Sequence, residues 1–289
     1  MSLVTRFAPS PSGYLHLGHA YSALRTAAAA TEAGGRFLLR IEDIDGGRCR
    51  REFEDAIYED LTWLGLTWET PVRRQSEHLD EYQKALEALR EKGLIYPCFC
   101  TRREIRAEIA RAGAAPHGSG GPLYPGTCRT LSSAARTARI AAGDAHALRL
   151  DTARAIAETG ALSWRERGRG KIVADFAGFG DVVLARKDTP TSYHLAVTLD
   201  DHLQGVTFVT RGEDLFEATH VHRLLQALLG LDTPEYAHHP LLRDASGQRF
   251  AKRDRALTLR HLRDAGHTPE RLREYMAAPE DLSKLLDSV

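Results

Sequence analysis

The order of apolar and polar positions changes three times in the first forty residues. Val4-Thr5-Arg6-Phe7 is a short β-like run, Pro9, Pro11 and Gly13 break the stretch that follows, and alanine, leucine and arginine then take over in a helical manner. The pattern predicts a strand, a turn and a helix start. The helix is expected over Tyr21–Ala33 with a stop at Gly34-Gly35, and Arg36–Ile41 reads as a buried strand. Phe53, Ile57, Leu61 and Leu64 recur at helical spacing over Glu52–Leu64, and Leu79, Tyr82, Leu86 and Leu89 do so before Gly93. Strands alternating with helices predict an α/β fold whose mostly parallel sheet is covered on both sides.

After Gly93 the pattern changes. Cys98 and Cys100 precede a Thr101/Glu104 capping-box pattern for a short helix through Ala112, and a loop rich in glycine and proline runs from Gly113 to Gly126 before Cys128. Thr130 to Gly170 is rich in arginine and alanine with weak periodicity; Ala147–Leu150 reads as a strand and Arg165–Lys171 as a basic loop. For that loop a solvated surface is the preferred reading and a contact with RNA phosphates the competing one. Strand character resumes at Asp181–Arg186, Tyr193–Asp201 stays unassigned, Gly205–Gly212 is β-like, and a helix is expected from Asp214 to Leu229. The expected organisation is a first half of the core over 1–95 and an inserted subdomain over 96–180. The second half of the core over 181–240 and a helical segment over 241–289 would complete it.

Composition narrows the classes. With 289 residues, 43% of them hydrophobic, the chain can bury a substantial core, and 39 basic against 39 acidic residues leave no net charge. A generic nucleic-acid coating protein is excluded, and any RNA contact must come from a local basic face. No apolar run approaches the length of a membrane span, and four cysteines do not make a secreted disulfide scaffold. A cytoplasmic protein is expected.

Candidate chemistry lies at a few places. His16 and His19, three residues apart around Gly18 at a helix start, make a candidate polyphosphate site behind an ordered loop. Glu42 follows a buried strand, where ligands of α/β proteins bind, and Arg211 ends a later β-like run. Cys98, Cys100 and Cys128 suit a soft tetrahedral ion such as zinc, with Tyr124 and His117 both open as the fourth ligand. Cys49 stands alone and is given no role. Arg249-Phe250-Ala251-Lys252-Arg253 follows a turn of Asp, Ser and Gly, and its lysine can act on a phosphate as a point charge.

Together these segments resemble a known family. His16-Leu17-Gly18-His19 is similar to the HIGH signature of class I aminoacyl-tRNA synthetases, the whole motif running Pro9-Ser10-Pro11-Ser12-Gly13-Tyr14-Leu15-His16-Leu17-Gly18-His19, and Arg249–Arg253 resembles their KMSKS loop. Arg6 to Gly13, Arg40 to Asp45 and Val209 to Leu215 resemble the glutamyl members. The loop departs from the pattern at Arg249 and Ala251, so Lys252 alone carries over. The chain ends at Val289, where an ordinary glutamyl enzyme would continue into an anticodon-binding domain. The shortened form with Cys98, Cys100, Tyr124 and Cys128 resembles the glutamyl-queuosine tRNA(Asp) synthetases.

The resemblance implies a Rossmann-like nucleotide-binding core with an inserted zinc-bearing subdomain. It also implies activation of L-glutamate by ATP without tRNA, followed by transfer to the queuosine base in the anticodon loop of tRNA(Asp). His16, Gly18, His19 and Lys252 would serve ATP, with Mg2+ on the phosphates. Arg6, Phe7, Ala8, Pro9, Ser10, Glu42, Tyr193 and Arg211 would bind glutamate, and Tyr124 would complete a site for one Zn2+. A monomer is expected. The competing readings are a catalytic fragment that charges tRNA(Glu), an adenylate-forming ligase that needs no RNA, and a non-catalytic zinc-stabilised RNA-binding module.

Overall fold

The structure is a computed structural model that describes residues 2–105, 117–118, 121–242 and 258–277. The chain divides into two compact units, one of residues 1–77, 205–215 and 235–289 and one of residues 78–204 and 216–234.

The first unit is built on parallel strands. β1 (Val4–Phe7) leads through the turn into helix α1 (Leu17–Glu32), β2 (Arg36–Ile41), helix α2 (Arg51–Trp63) and β3 (Glu69–Arg74). β2 lies between the other two, and both pairings are parallel, with Val4 opposite Arg36 and Phe7 opposite Leu39. A second parallel pair, Phe208–Gly212 with Glu235–His239, packs beside β1, where Thr207 N–H donates to the Val4 carbonyl at 2.9 Å. α1 covers β1, β2 and Phe208–Gly212 through its alanines. Ala20, Ala23, Leu39, Ile41, Ile57 and Leu61 form the core with Leu259, Leu262 and Leu272 from the helices Leu259–Asp264 and Pro269–Ala277. Gly35 is required by close approach, because a β-carbon there would come within 2.2 Å of the Leu3 carbonyl oxygen.

The second unit has an antiparallel sheet of its own. Ile95–Cys98 and Val183–Ala185 flank Ala147–Leu150 in an antiparallel three-stranded sheet. Helix α3 (Leu79–Glu91) and the helix Ala218–Leu229 pack together, and the latter also packs on Tyr193–Leu203 and Thr152–Thr159. The expected α/β core with a mostly parallel sheet is thus found in the first unit, while the strands of the second unit's three-stranded sheet pair antiparallel.

Other expectations are corrected locally. Tyr193–Leu203 is a helix capped by Ser192, whose seven consecutive buried residues hide any amphipathic period. The predicted Asp214 helix begins at Ala218, after a 3-10 turn over Glu213–Leu215. The basic loop is a β-hairpin, Ser163–Glu166 against Gly170–Val173. No described helix is long and apolar enough to cross a membrane.

Candidate active site and candidate metal centre

The carboxyl ends of the first unit's strands gather several predicted residues. Arg6 is buried in β1, Phe7 closes it, and Ala8, Pro9 and Ser10 form the exit loop. Glu42 follows β2, and its backbone N–H donates to the Pro9 carbonyl at 3.0 Å. The loop after Glu42 is fastened again where Arg50 N–H donates to the Pro11 carbonyl at 3.0 Å. Beside these bonds Cys49 Sγ lies 3.8 Å from Ser10 Oγ, a contact the sequence gave no reason to expect. Burial raises the Cys49 thiol above its ordinary range.

The acidic run after β2 separates by role. Asp43 accepts from the Ser76 N–H at 2.8 Å and its hydroxyl at 2.6 Å, and Asp45 receives Arg48 Nε at 2.7 Å. Those two acids hold turns. Glu42 instead lies 3.4 Å from Arg40 Nη2, and the Arg40 side chain is fully buried. Sequence reading passed over Arg40 because an arginine inside an apolar strand gives no periodic signal of its partner.

Arg211 ends the Phe208–Gly212 strand, buried and in register with His238. Its Nε donates to His238 Nε2 at 3.1 Å, its Nη2 to the Leu215 carbonyl at 3.2 Å, and the guanidinium stands 5.5 Å from the Tyr236 ring centroid. Because His238 Nε2 accepts, that imidazole is neutral with its proton on Nδ1. Cross-strand pairing brings His238 to Arg211, a contact no spacing within one segment reveals.

His16 and His19 are closer partners than a shared helical face. His16 is the N-cap of α1, with extended backbone, and its Nδ1 accepts from Gly18 N–H at 3.1 Å. His19 Nδ1 accepts in turn from His16 N–H at 3.1 Å, and the ring centroids are 3.8 Å apart. The two imidazoles thus make a reciprocal capping box, and as acceptors at Nδ1 both carry their proton on Nε2. Gly18 serves this arrangement, since a β-carbon there would sit 3.1 Å from His16 Cε1. Gly13, which breaks the stretch, does not have a positive φ, and a β-carbon there would meet nothing within 4 Å. Lys252 and the rest of Arg249–Arg253 lie outside the described residues. Thr258 forms an antiparallel bridge with His16, and Leu259 N–H donates to the Leu15 carbonyl at 2.8 Å.

In the second unit Tyr193 opens its helix with its ring edge-on to His194 and His222, at 5.5 and 5.6 Å. The same unit holds the cysteines. The sulfurs of Cys98, Cys100 and Cys128 lie within 4.8 Å of one another, and those of Cys100 and Cys128 are 3.4 Å apart. A tetrahedral zinc site with about 2.3 Å bonds needs sulfurs about 3.8 Å apart, so the three fit such an ion. The Tyr124 hydroxyl accepts from Cys98 Sγ at 3.4 Å and from Cys128 N–H at 2.9 Å, and lies 3.8 Å from Cys100 Sγ. Burial, then the bond to Cys98, raises the Tyr124 phenol above its ordinary range. Burial and the neighbouring Cys128 push Cys100 up to about 12. Burial also works against the Cys128 anion, yet the Phe99 N–H and the neighbouring Cys100 and Tyr124 hold that thiol below its usual value. The three thiols together could hold a metal ion.

A parallel sheet with buried arginines and a glutamate at its strand ends, beside a histidine-capped helix, is the place where α/β proteins bind ligands. Residues 2–278 match the catalytic-domain model of class I tRNA synthetases (E and Q), and the chain belongs to that family. It is 49% identical over 277 residues to the glutamyl-Q tRNA(Asp) synthetase of Rhodobacter capsulatus, covering 94% of this chain and 98% of the relative. It is 37% identical over 274 residues to the glutamate–tRNA ligase of Aquifex aeolicus, covering 94% of this chain and 56% of that one. The crystal structure of a glutamate-tRNA synthetase from Elizabethkingia anophelis superposes with a TM-score of 0.81 at 28% identity, covering 96% of this chain and 61% of that chain. The chain thus spans little more than half of those longer ligases.

Proposed function

We propose that the protein activates L-glutamate with ATP in the absence of tRNA and transfers the glutamyl group to the queuosine base in the anticodon loop of tRNA(Asp). The observation that carries this reading is the match to the glutamyl-Q enzyme of Rhodobacter capsulatus along 94% of this chain and 98% of that relative. In activation a glutamate α-carboxylate oxygen bonds to the α-phosphorus, the bond to the bridging oxygen of the β-phosphate breaks, and pyrophosphate leaves. Charge grows on the phosphates, so the reaction needs fixed donors. The Nε2–H groups of His16 and His19 are assigned that work, with Lys252 as the added cation and Gly18 keeping the His16 ring unhindered. ATP enters as its Mg2+ complex.

For glutamate, Arg211 is assigned the side-chain carboxylate and Glu42 the ammonium group, with Arg6, Phe7, Ala8, Pro9 and Ser10 completing the pocket in the first unit. Buried guanidinium groups suit carboxylates because they donate two parallel hydrogen bonds. Neutral His238 keeps Arg211 aimed without competing for the anion. Cys98, Cys100, Cys128 and Tyr124 are assigned one Zn2+, whose part when bound is to cross-link their loops. The protein is assigned to the cytoplasm and to a monomer.

The test offers radiolabelled glutamate and ATP to queuosine-containing tRNA(Asp), unmodified tRNA(Asp) and tRNA(Glu) in parallel. Label on the first alone supports the proposal. Label on the 3′ end of tRNA(Glu) would instead make the protein an ordinary charging enzyme.

A further inference from the structure

Gly180 and Asp181, just before the strand Val183–Ala185, reach three of the four residues assigned to zinc. The Asp181 carboxylate is buried and gathers donors from three segments. It accepts from the Tyr96 hydroxyl, from Arg129 Nη1 at 3.1 Å on each oxygen, and from Thr152 N–H at 3.2 Å. Tyr96 lies two residues before Cys98 on the strand Ile95–Cys98, and Arg129 follows Cys128 directly. The Asp181 carbonyl accepts from Arg149 Nη1 at 2.7 Å, and that guanidinium stands 3.9 Å from the Tyr124 ring centroid. Gly180 is pressed against the backbone of the same tyrosine, since a β-carbon there would come within 3.1 Å of the Tyr124 nitrogen.

Stability of the fold is a weak reason for a charge at this place. Burying a carboxylate costs free energy that its partners at best offset, and well-packed apolar side chains often join two segments with no loss of stability. What hydrogen-bonded charges add is direction. The turn Thr127–Thr130, which carries Cys128, is tied through Arg129 to the same carboxylate that holds Tyr96 beside Cys98. Three thiols whose sulfurs lie within 4.8 Å of one another repel as they ionise, so without such ties the cluster would spread. Arg129 and Arg149 also suit the negative charge that three thiolates leave around a divalent ion.

We propose that Asp181 is a positioning residue of the metal site, acting through Arg129 on Cys128, through Tyr96 on Cys98 and through Arg149 on Tyr124. It holds these ligands near coordinating distance in the metal-free protein, and it thereby sets the zinc affinity. The inference rests on Cys98, Cys100, Tyr124 and Cys128 binding zinc, and adds what builds the site. Ligands already in place have little freedom left to lose when the ion binds, so a preorganised site binds more tightly than a loose one.

The test compares the parent with Asp181→Asn, reading zinc affinity by chelator competition together with the melting temperatures of the metal-free and zinc-loaded forms. Asparagine keeps the size of the side chain and removes the charge that Arg129 meets. The expected result is zinc binding at least about tenfold weaker, with zinc raising the melting temperature of the variant less than that of the parent. A residue that only stabilised the fold would lower both forms alike and leave the affinity at the parent's value, and that outcome would overturn the inference while the zinc site stands. A parent that binds no zinc would remove the site and the inference together. Should Asp181→Asn fail to fold, Arg129→Met decides instead, because the Arg129 side chain is 40% exposed and Asp181 keeps its bonds to Tyr96 and Thr152. Zinc binding about tenfold weaker is expected there too, and parent-like affinity would overturn the inference.

Discussion

Thr258 is bridged to His16. The pairing closes the chain just downstream of Lys252 onto the turn that starts α1, while Leu242, upstream of it, is buried in the same core as Leu15 and Leu17. Position 258 is six steps along the chain from position 252, so at most about 20 Å of extended chain lies between the lysine backbone and the bridge. The histidines and the lysine are distant in sequence, yet covalent geometry limits how far the Lys252 backbone can lie from the bridge at His16.

From this comes the expectation for Lys252. Lys252→Ala should lower glutamate-dependent pyrophosphate exchange at least tenfold, about 1.4 kcal/mol in the barrier, with the fold unchanged by circular dichroism. An undiminished rate would take the lysine out of the reaction.

Arg211 gives a prediction about recognition. Arg211→Lys keeps a positive charge but loses the fork of donors, one of which is spent on His238. The KM for glutamate in pyrophosphate exchange should rise at least about tenfold, the equivalent of one lost charge-assisted hydrogen bond. A KM unchanged within twofold would move the side-chain carboxylate elsewhere.

The thiol cluster predicts metal content. Protein purified without chelator should carry about one zinc per chain, and Cys98→Ser or Cys128→Ser should lose it along with thermal stability. Metal analysis that finds no zinc in the parent would dissolve the site.

Asp60 predicts a pH dependence of stability. Its side chain is fully buried on α2, with Oδ1 3.2 Å from Arg263 Nη1, and burial outweighs Arg263 to push its carboxyl up to about 7. A carboxyl with pKa near 4 when unfolded and about 7 when folded binds more protons in the native state between those values. Its contribution is therefore fully present below about pH 4 and lost as the pH rises through 7, at no more than about 1.4 kcal/mol per pH unit. Asp60→Asn should flatten that part of the profile in denaturant titrations from pH 4 to 8. An unaltered slope would show that Asp60 titrates normally.

The sequence by itself determined the parts whose signal is local. The strand Arg36–Ile41, the α2 and α3 helices and the Gly34-Gly35 stop follow from short-range periodicity and turn chemistry, and the Thr101/Glu104 capping box forms as written, with Thr101 N–H 2.6 Å from Glu104. The cysteine set was legible too, because thiols with clustered spacing carry their chemistry in their type. Only the tertiary structure decided which groups face one another. The reciprocal capping of His16 and His19, the hold of His238 on Arg211, the burial of Arg40 beside Glu42 and the hairpin under Arg165 and Lys171 all depend on backbone course or on partners in other strands. Local pattern reports how one segment meets solvent. A hydrogen bond between strands depends on register and burial, which are fixed when the whole chain has packed.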